Sequence, residues 1–121
     1  RMGDPETEVV LPRIKTDLVE LLVAAAKGEL KNQKISIQPD YAVTVVLASG
    51  GYPETFKKGF SITGLTAESQ STVFHAGTKS EGSTVVTNGG RVLTVTGRGS
   101  NLNDAIRNAY QLISPIQWDG I

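Results

Sequence analysis

Ser83-Thr84-Val85-Val86-Thr87-Asn88-Gly89-Gly90-Arg91-Val92-Leu93-Thr94-Val95-Thr96-Gly97 is the stretch on which the reading of the fold turns. Two runs rich in β-branched residues meet at Asn88-Gly89-Gly90, and a two-residue hairpin turn needs positive φ at its centre, which Asn-Gly and Gly-Gly supply. The stretch therefore predicts a hairpin with its tip at those residues. Side chains alternate along a strand, so Arg91, Leu93 and Val95 are expected on one face and Val92, Thr94 and Thr96 on the other. Arg91 then stands beside a turn that is almost bare. Such a backbone lets a ligand or a neighbouring domain come close; the plainer reading is that the glycines only make the turn and Arg91 is solvated.

Upstream of this hairpin, Thr72–Ala76 and Phe60–Ile62 are short enough to be further strands of an antiparallel meander, set off by Lys57-Lys58-Gly59 and Thr63-Gly64. Tyr41–Ala48 is nearly all apolar and β-branched, as in a strand buried on both faces, and ends at the turn-forming Ser49-Gly50-Gly51-Tyr52-Pro53. Residues 29–40 are a polar connector, with one short strand around Ile35 and Ile37. Before it, Leu18, Leu21, Leu22 and Ala25 are spaced as one face of a helix, Asp17 and Glu20 have capping-box spacing, and Lys27-Gly28 is a usual ending. Val19, Val23 and Ala26 widen that face, so it should be covered on more than one side. A first, shorter helix starts at Asp4-Pro5-Glu6, with Asp4 as the cap and Pro5 in the first turn, and ends near Pro12.

Downstream, Ser100 or Asn101 caps a third helix whose stripe is Leu102, Ala105, Ile106, Ala109, Tyr110 and Ile113. Pro115 ends it, and Ile116–Trp118 is a last extended segment. Strands followed by an amphipathic helix define an α+β layer packing.

Composition narrows the functions. The chain has 121 residues and no cysteine, which excludes disulfide and thiolate chemistry. Twelve basic and twelve acidic residues leave zero formal charge, no field for gathering nucleic acid or an anionic membrane. Val43–Ala48, an apolar run with Thr44 inside it, is far too short to span a bilayer, and with no signal-peptide pattern the expected compartment is the cytoplasm. A start at Arg1 suggests a piece of a longer protein, although processing gives the same beginning.

One histidine and scattered carboxylates do not make a zinc site. No nucleophile elbow occurs, and neither Gly97-Arg98-Gly99 nor Gly77-Thr78-Lys79-Ser80 has phosphate-loop spacing. His75 alternates with apolar neighbours, as a hydrogen-bonded structural residue does; facing a cleft, it becomes a ligand contact. Lys57 and Lys58 read as a solvated turn and Trp118 as a packing residue. The residues alone thus give an α+β domain without a complete active site.

Taken together, Arg1-Met2-Gly3-Asp4-Pro5-Glu6-Thr7-Glu8, Leu47–Pro53, Val73-Phe74-His75-Ala76-Gly77-Thr78-Lys79 and Val86–Leu93 closely resemble, in order and separation, the C-terminal region of the glycinamide ribonucleotide synthetases of the ATP-grasp superfamily. The resemblance covers nearly the whole chain. It implies a ligase of purine biosynthesis that joins glycine to 5-phosphoribosylamine and splits ATP to ADP and phosphate, with glycine activated as an acyl phosphate. Magnesium or manganese bridges the ATP phosphates in such enzymes. The family's metal-binding glutamate and asparagine precede the position of Arg1, so the resemblance implies a fragment that binds no cofactor and is inactive alone.

The resemblance further implies that residues 1–34 are the last helices of the ATP-grasp domain and residues 35–121 a small antiparallel β-rich domain with one packed C-terminal helix. Its partners are then the upstream domains of the same polypeptide and the two substrates. No residue of the chain is expected to be catalytic or to bind metal. Arg1 follows the metal-binding asparagine, and Asp4 and Glu6 face the substrate side; a guanidinium suits a phosphate or carboxylate oxygen. Arg91 is a second anion contact or an interdomain clamp, and His75 completes the substrate-binding candidates. Met2 stands where phenylalanine is more usual. The rival reading is a stand-alone binding module of the same fold, without turnover. A swinging-arm carrier domain is excluded, because it needs a lysine at a hairpin tip where this chain has glycine.

Overall fold

A computed structural model describes residues 2–66 and 71–121. Strands β1 (Tyr41–Ala48), β2 (Ser71–His75), β3 (Thr78–Glu81), β4 (Thr84–Thr87) and β5 (Arg91–Gly99) form two sheets, β1-β5-β2 and β3-β4. The helices are α1 (Glu6–Val10), α2 (Leu18–Ala26) and α3 (Leu102–Ile113). The fold is α+β, antiparallel throughout, with one helix packed after the last strand.

β5 is the axis of the molecule. It pairs with β1 from Tyr41↔Gly99 to Leu47↔Leu93 and with β2 from Ser71↔Gly97 to His75↔Leu93, and Val92, Leu93 and Val95 are fully buried. β1 is an edge strand and mostly half-buried, which corrects the expectation of burial on both faces. α3 lies against one face of the sheet: a Cβ on Gly97 would stand 2.8 Å from Ala109 Cα, and one on Gly99 2.6 Å from Ala105 N. α1 lies against the other, where Thr44 and Thr96 share a hydroxyl hydrogen bond (2.5 Å) and Thr96 Oγ1 donates to the carbonyl of Glu8 (2.8 Å).

The hairpin expected at Asn88-Gly89-Gly90 does not form. β4 pairs with β3, across a two-residue turn led by Gly82 at φ +61°, while β5 joins the other sheet. Asn88, Gly89 and Gly90 all avoid positive φ, so the segment carries the chain from one sheet to the next. Its glycines answer to space instead of backbone angle: a Cβ on Gly77 would lie 2.6 Å from Gly89 Cα, and one on Gly90 2.6 Å from Cε2 of Tyr52. Phe60–Ile62 is not a full strand either; it lies along β4 through a bridge at Ser61↔Val86, with Ile62 N donating to Val85 O (2.9 Å).

The helices depart from their sequence pattern in instructive ways. Asp17 caps α2 as its spacing predicts, accepting from Val19 N (2.8 Å) and Glu20 N (3.3 Å). Only Leu21 and Ala24 of α2 are buried, however, and Leu18, Val19, Leu22 and Val23 lie exposed, so the wide apolar face is not covered by the described residues. The connector returns to residues 13–16: Lys15 N donates to Ser36 O (2.9 Å) and Gln38 N to Arg13 O (2.6 Å), around the bridge Ile14↔Ile37. In α3 the buried residues are Ala105, Ala109 and Leu112, while Leu102, Ile106 and Tyr110 of the expected stripe are exposed. The close approach to Gly97 and Gly99 selects alanines for the contact line and leaves larger side chains at its margin.

At the start of α3, Asn101 Oδ1 accepts from Asp104 N (2.9 Å), and the Asp104 carboxylate accepts from Ser100 Oγ (2.7 Å), Asn101 Nδ2 (2.8 Å) and Arg107 Nη2 (2.6 Å). The Ser100 bond first, then that of Arg107, holds the Asp104 carboxyl below its usual value. A depressed folded-state pKa stabilises above the unfolded-state value, and that contribution is lost as pH falls through the folded-state value. The first turn of α3 should therefore loosen only below the ordinary carboxylate range. An NMR titration of the Asp104 carboxyl checks this, and a midpoint at or above that of an unstructured aspartate contradicts it.

Candidate functional site

The end of the sheet where β1 stops and β5 starts gathers the candidate residues. Three loops meet there through bare backbone: Gly77 N donates to Arg91 O (2.8 Å), Asn88 N to Gly77 O (2.6 Å), and Ser49 N to Gly90 O (2.7 Å). The buried Ser49 also donates its hydroxyl to Gly89 O (2.9 Å). A β-bulge lies here, Leu47 facing Leu93 but Ala48 facing Arg91, so Val92 has no partner on β1. A bulge re-aims the side chain next to it. Arg91 consequently does not share a face with Leu93 and Val95, as strict alternation predicts; it reaches the α1 side, where Nη2 meets Asp4 Oδ2 at 2.9 Å and Nη1 donates to Asp4 O at 3.2 Å.

Asp4 is thus the anchor of Arg91 and not the cap of α1. Pro5 holds the cap position without a side-chain bond, and Thr7 closes the turn by donating from its N (3.0 Å) and its hydroxyl (2.6 Å) to Gly3 O. Glu6 begins α1 with its carboxylate folded over Gly3. His75 ends β2 exposed, its Nδ1 3.1 Å from Thr78 Oγ1. Arg1 lies outside the described residues. The structure therefore joins Asp4 to Arg91 directly, and brings His75 and Glu6 to the same end of the sheet without a contact to that pair.

Tyr52 and Ser49 were legible in the sequence only as turn residues. Tyr52 lays its ring on Gly90 and meets Phe56 edge-on at 6.2 Å, and Lys58 Nζ stands 5.8 Å from the Phe56 centroid, so Lys58 is not simply solvated. A cavity of about 290 Å³ opens between Ser49, Phe56, Lys57, Phe60 and Asp119. The signal for Tyr52 was the glycine pair itself, which clears space for a ring.

Among the described residues no three His, Cys, Asp or Glu side chains come together as a metal site. No helix among the described residues is long and apolar enough to cross a membrane.

This is a small α+β domain led in by a helical segment, with an arginine-carboxylate pair at one end of its sheet. The chain belongs to the family described as phosphoribosylglycinamide synthetase, C domain, whose model matches residues 42–121. It is 46% identical over its whole length to a phosphoribosylamine–glycine ligase of Vibrio cholerae, covering 29% of that protein. It is 48% identical to a bifunctional purine biosynthetic protein of Dictyostelium discoideum, again over the whole chain and covering 15% of the relative. The crystal structure of a phosphoribosylamine–glycine ligase from Thermotoga maritima matches 99% of the chain and 29% of its own, with a TM-score of 0.76 and 36% identity. The chain thus spans less than a third of the length of these relatives, and in each the region is part of a longer polypeptide.

Proposed function

We propose that this chain is the closing region of an ATP-grasp ligase that joins glycine to 5-phosphoribosylamine in purine biosynthesis, and that it forms one wall of a substrate cleft whose reactive machinery lies elsewhere in the polypeptide. The observation that carries this reading is end-to-end similarity, at 46% identity, to a phosphoribosylamine–glycine ligase of which the chain covers 29%. ATP with magnesium or manganese, held by other parts of that polypeptide, would supply the activation of the glycine carboxyl. The residues here bind and orient: Arg91, fixed by Asp4, offers an anion contact for the phosphoribosyl group or a clamp between domains. Glu6 and His75 are assigned to the same wall, and Arg1 is kept as a candidate anion contact on the resemblance of its motif alone.

The lead-in helices belong with the ATP-grasp domain on this reading. Val19, Leu22 and Val23 of α2 are 67%, 60% and 46% exposed, a surface that docking onto the preceding domain would bury. A family model that begins at residue 42, and the bonding of residues 34–38 back to residues 13–16, support a seam at residue 34 or a few residues beyond it. The compartment proposed is the cytoplasm.

The test is activity. The isolated 121-residue chain should neither hydrolyse ATP nor form glycinamide ribonucleotide, and the longer polypeptide should do both. Turnover by the isolated chain would refute the wall assignment, and a longer polypeptide inert towards glycine and 5-phosphoribosylamine would refute the ligase.

A further inference from the structure

A second cleft, of about 620 Å³, lies between α1 and β2, lined by Thr7, Glu8, Leu11, Pro12, Phe74 and Arg98 among others. Arg98, at the far end of this cleft, stands seven residues along β5 from Arg91, roughly 23 Å at about 3.3 Å per residue. Thr7 at its near end is bonded to Gly3 beside Asp4, so the cleft starts close to the Asp4–Arg91 pair and runs away from it. The two faces of the sheet differ in chemistry. The α3 face is apolar; the α1 face carries Thr44, Thr94 and Thr96 where the isosteric valine would pack without hydroxyls.

Acceptors on this face go unmet. Glu8 Oε2 is shielded from water and has no hydrogen-bond partner, and neither has Thr94 Oγ1, whose residue lies opposite the cleft-lining Phe74. Asp40 accepts from Arg98 Nε through Oδ2 (2.5 Å), yet its Oδ1 is likewise buried and unpartnered. Leaving a buried polar group unpaired is destabilising, and more so for a charged one. Arg98 is already neutralised by Asp40, and Arg13, next to the lining residue Pro12, directs Nη2 to Gln38 O (3.4 Å) and keeps a buried, unpartnered Nε, but does not itself line the cleft. What remains at the cleft is a carboxylate in need of donors, beside the apolar side chains of Leu11 and Pro12 and an aromatic ring.

We propose that this cleft binds an ammonium group on a short aliphatic stem. Such a group brings three N–H donors and a positive charge to Glu8, its stem lies on Leu11 and Pro12, and the face of Phe74 favours a cation. The ligand is either a free small amine or a lysine side chain of the longer polypeptide.

The probe is n-butylammonium chloride, with 1-butanol as its neutral counterpart, titrated into the ¹⁵N-labelled chain. Saturable shifts of the Thr7, Thr72 and Phe74 amides are expected, with a Kd on the order of millimolar for so small a ligand and at least about tenfold weaker binding of butanol. Glu8→Gln should abolish the preference for the amine. Thr72→Arg, at an exposed rim position, should block the amine by placing a cation in the cleft, which keeps the test valid should Glu8→Gln not fold. No saturation by the amine, equal binding of butanol, or an unaltered preference in Glu8→Gln overturns the proposal. Repeating the titration on the longer polypeptide separates the sources: retained binding assigns the cleft to a free amine, and blocked binding to a lysine side chain.

Discussion

Gly97→Ala is expected to destabilise the domain by about 3 kcal/mol or more, the largest stability loss of any methyl-sized change proposed here. The added Cβ would meet the backbone N of Ala109 and the backbone O of Ala105 and lie 2.8 Å from Ala109 Cα. A flexible side chain could turn aside, but helix backbone cannot. α3 would have to retreat from β5 and open a gap along the buried Ala105, Ala109 and Leu112. In a domain of this size each kcal/mol lowers Tm by about 4–8 °C, so thermal denaturation should show a fall of roughly 12 °C or more. Gly28→Ala is the control: its φ is +73°, yet nothing lies within 4 Å of the new Cβ, and about 1–2 kcal/mol of backbone strain is all it should cost. Equal Tm shifts for the two variants would show that the close approach of helix and strand does not decide the packing.

The same glycines explain what the sequence could and could not disclose. β1 and the cap and end of α2 were readable from local chemistry, because a β-branched run and an Asp-x-x-Glu start depend on few distant residues. Asn88-Gly89-Gly90 misled, since composition favours a turn there while the backbone uses its missing side chains to admit Tyr52 and Gly77 from segments far along the chain. Arg91 was legible as a candidate and Asp4 as a neighbour of the substrate side, but their pairing depends on a bulge at Leu47/Ala48 that no alternation pattern announces. The α3 stripe was displaced for a similar reason: amphipathicity names the apolar residues, whereas the small surface of Gly97 and Gly99 decides which of them touch the sheet. Glu8 and Arg98 were invisible because a cleft between a short helix and a sheet edge exists only once both are placed.

Arg91→Ala in the longer polypeptide is expected to lower kcat/KM by about 10- to 100-fold while changing Tm by only a few degrees. The two effects separate because the ion pair with Asp4 is open to water, the side chains being 37% and 71% exposed. A pair so exposed contributes about 0–1 kcal/mol to stability. A charge-assisted hydrogen bond to a substrate anion contributes about 1.5–3 kcal/mol, which is the source of the kinetic factor. Asp4 occupies Nη1 and Nη2 with one bond each, and the guanidinium has five N–H donors, so the anchored side chain keeps donors for a ligand. Arg91→Lys preserves the charge but loses the planar fork and should fall between wild type and Arg91→Ala. Asp4→Asn frees the guanidinium without removing it; if Asp4 acts by orienting Arg91, its loss should be smaller and should not add to that of Arg91→Ala in the double variant. Unaltered kinetics in Arg91→Ala would take this residue out of the substrate wall, and a Tm loss large enough to account for the lost activity would make the pair a structural strut between α1 and β5.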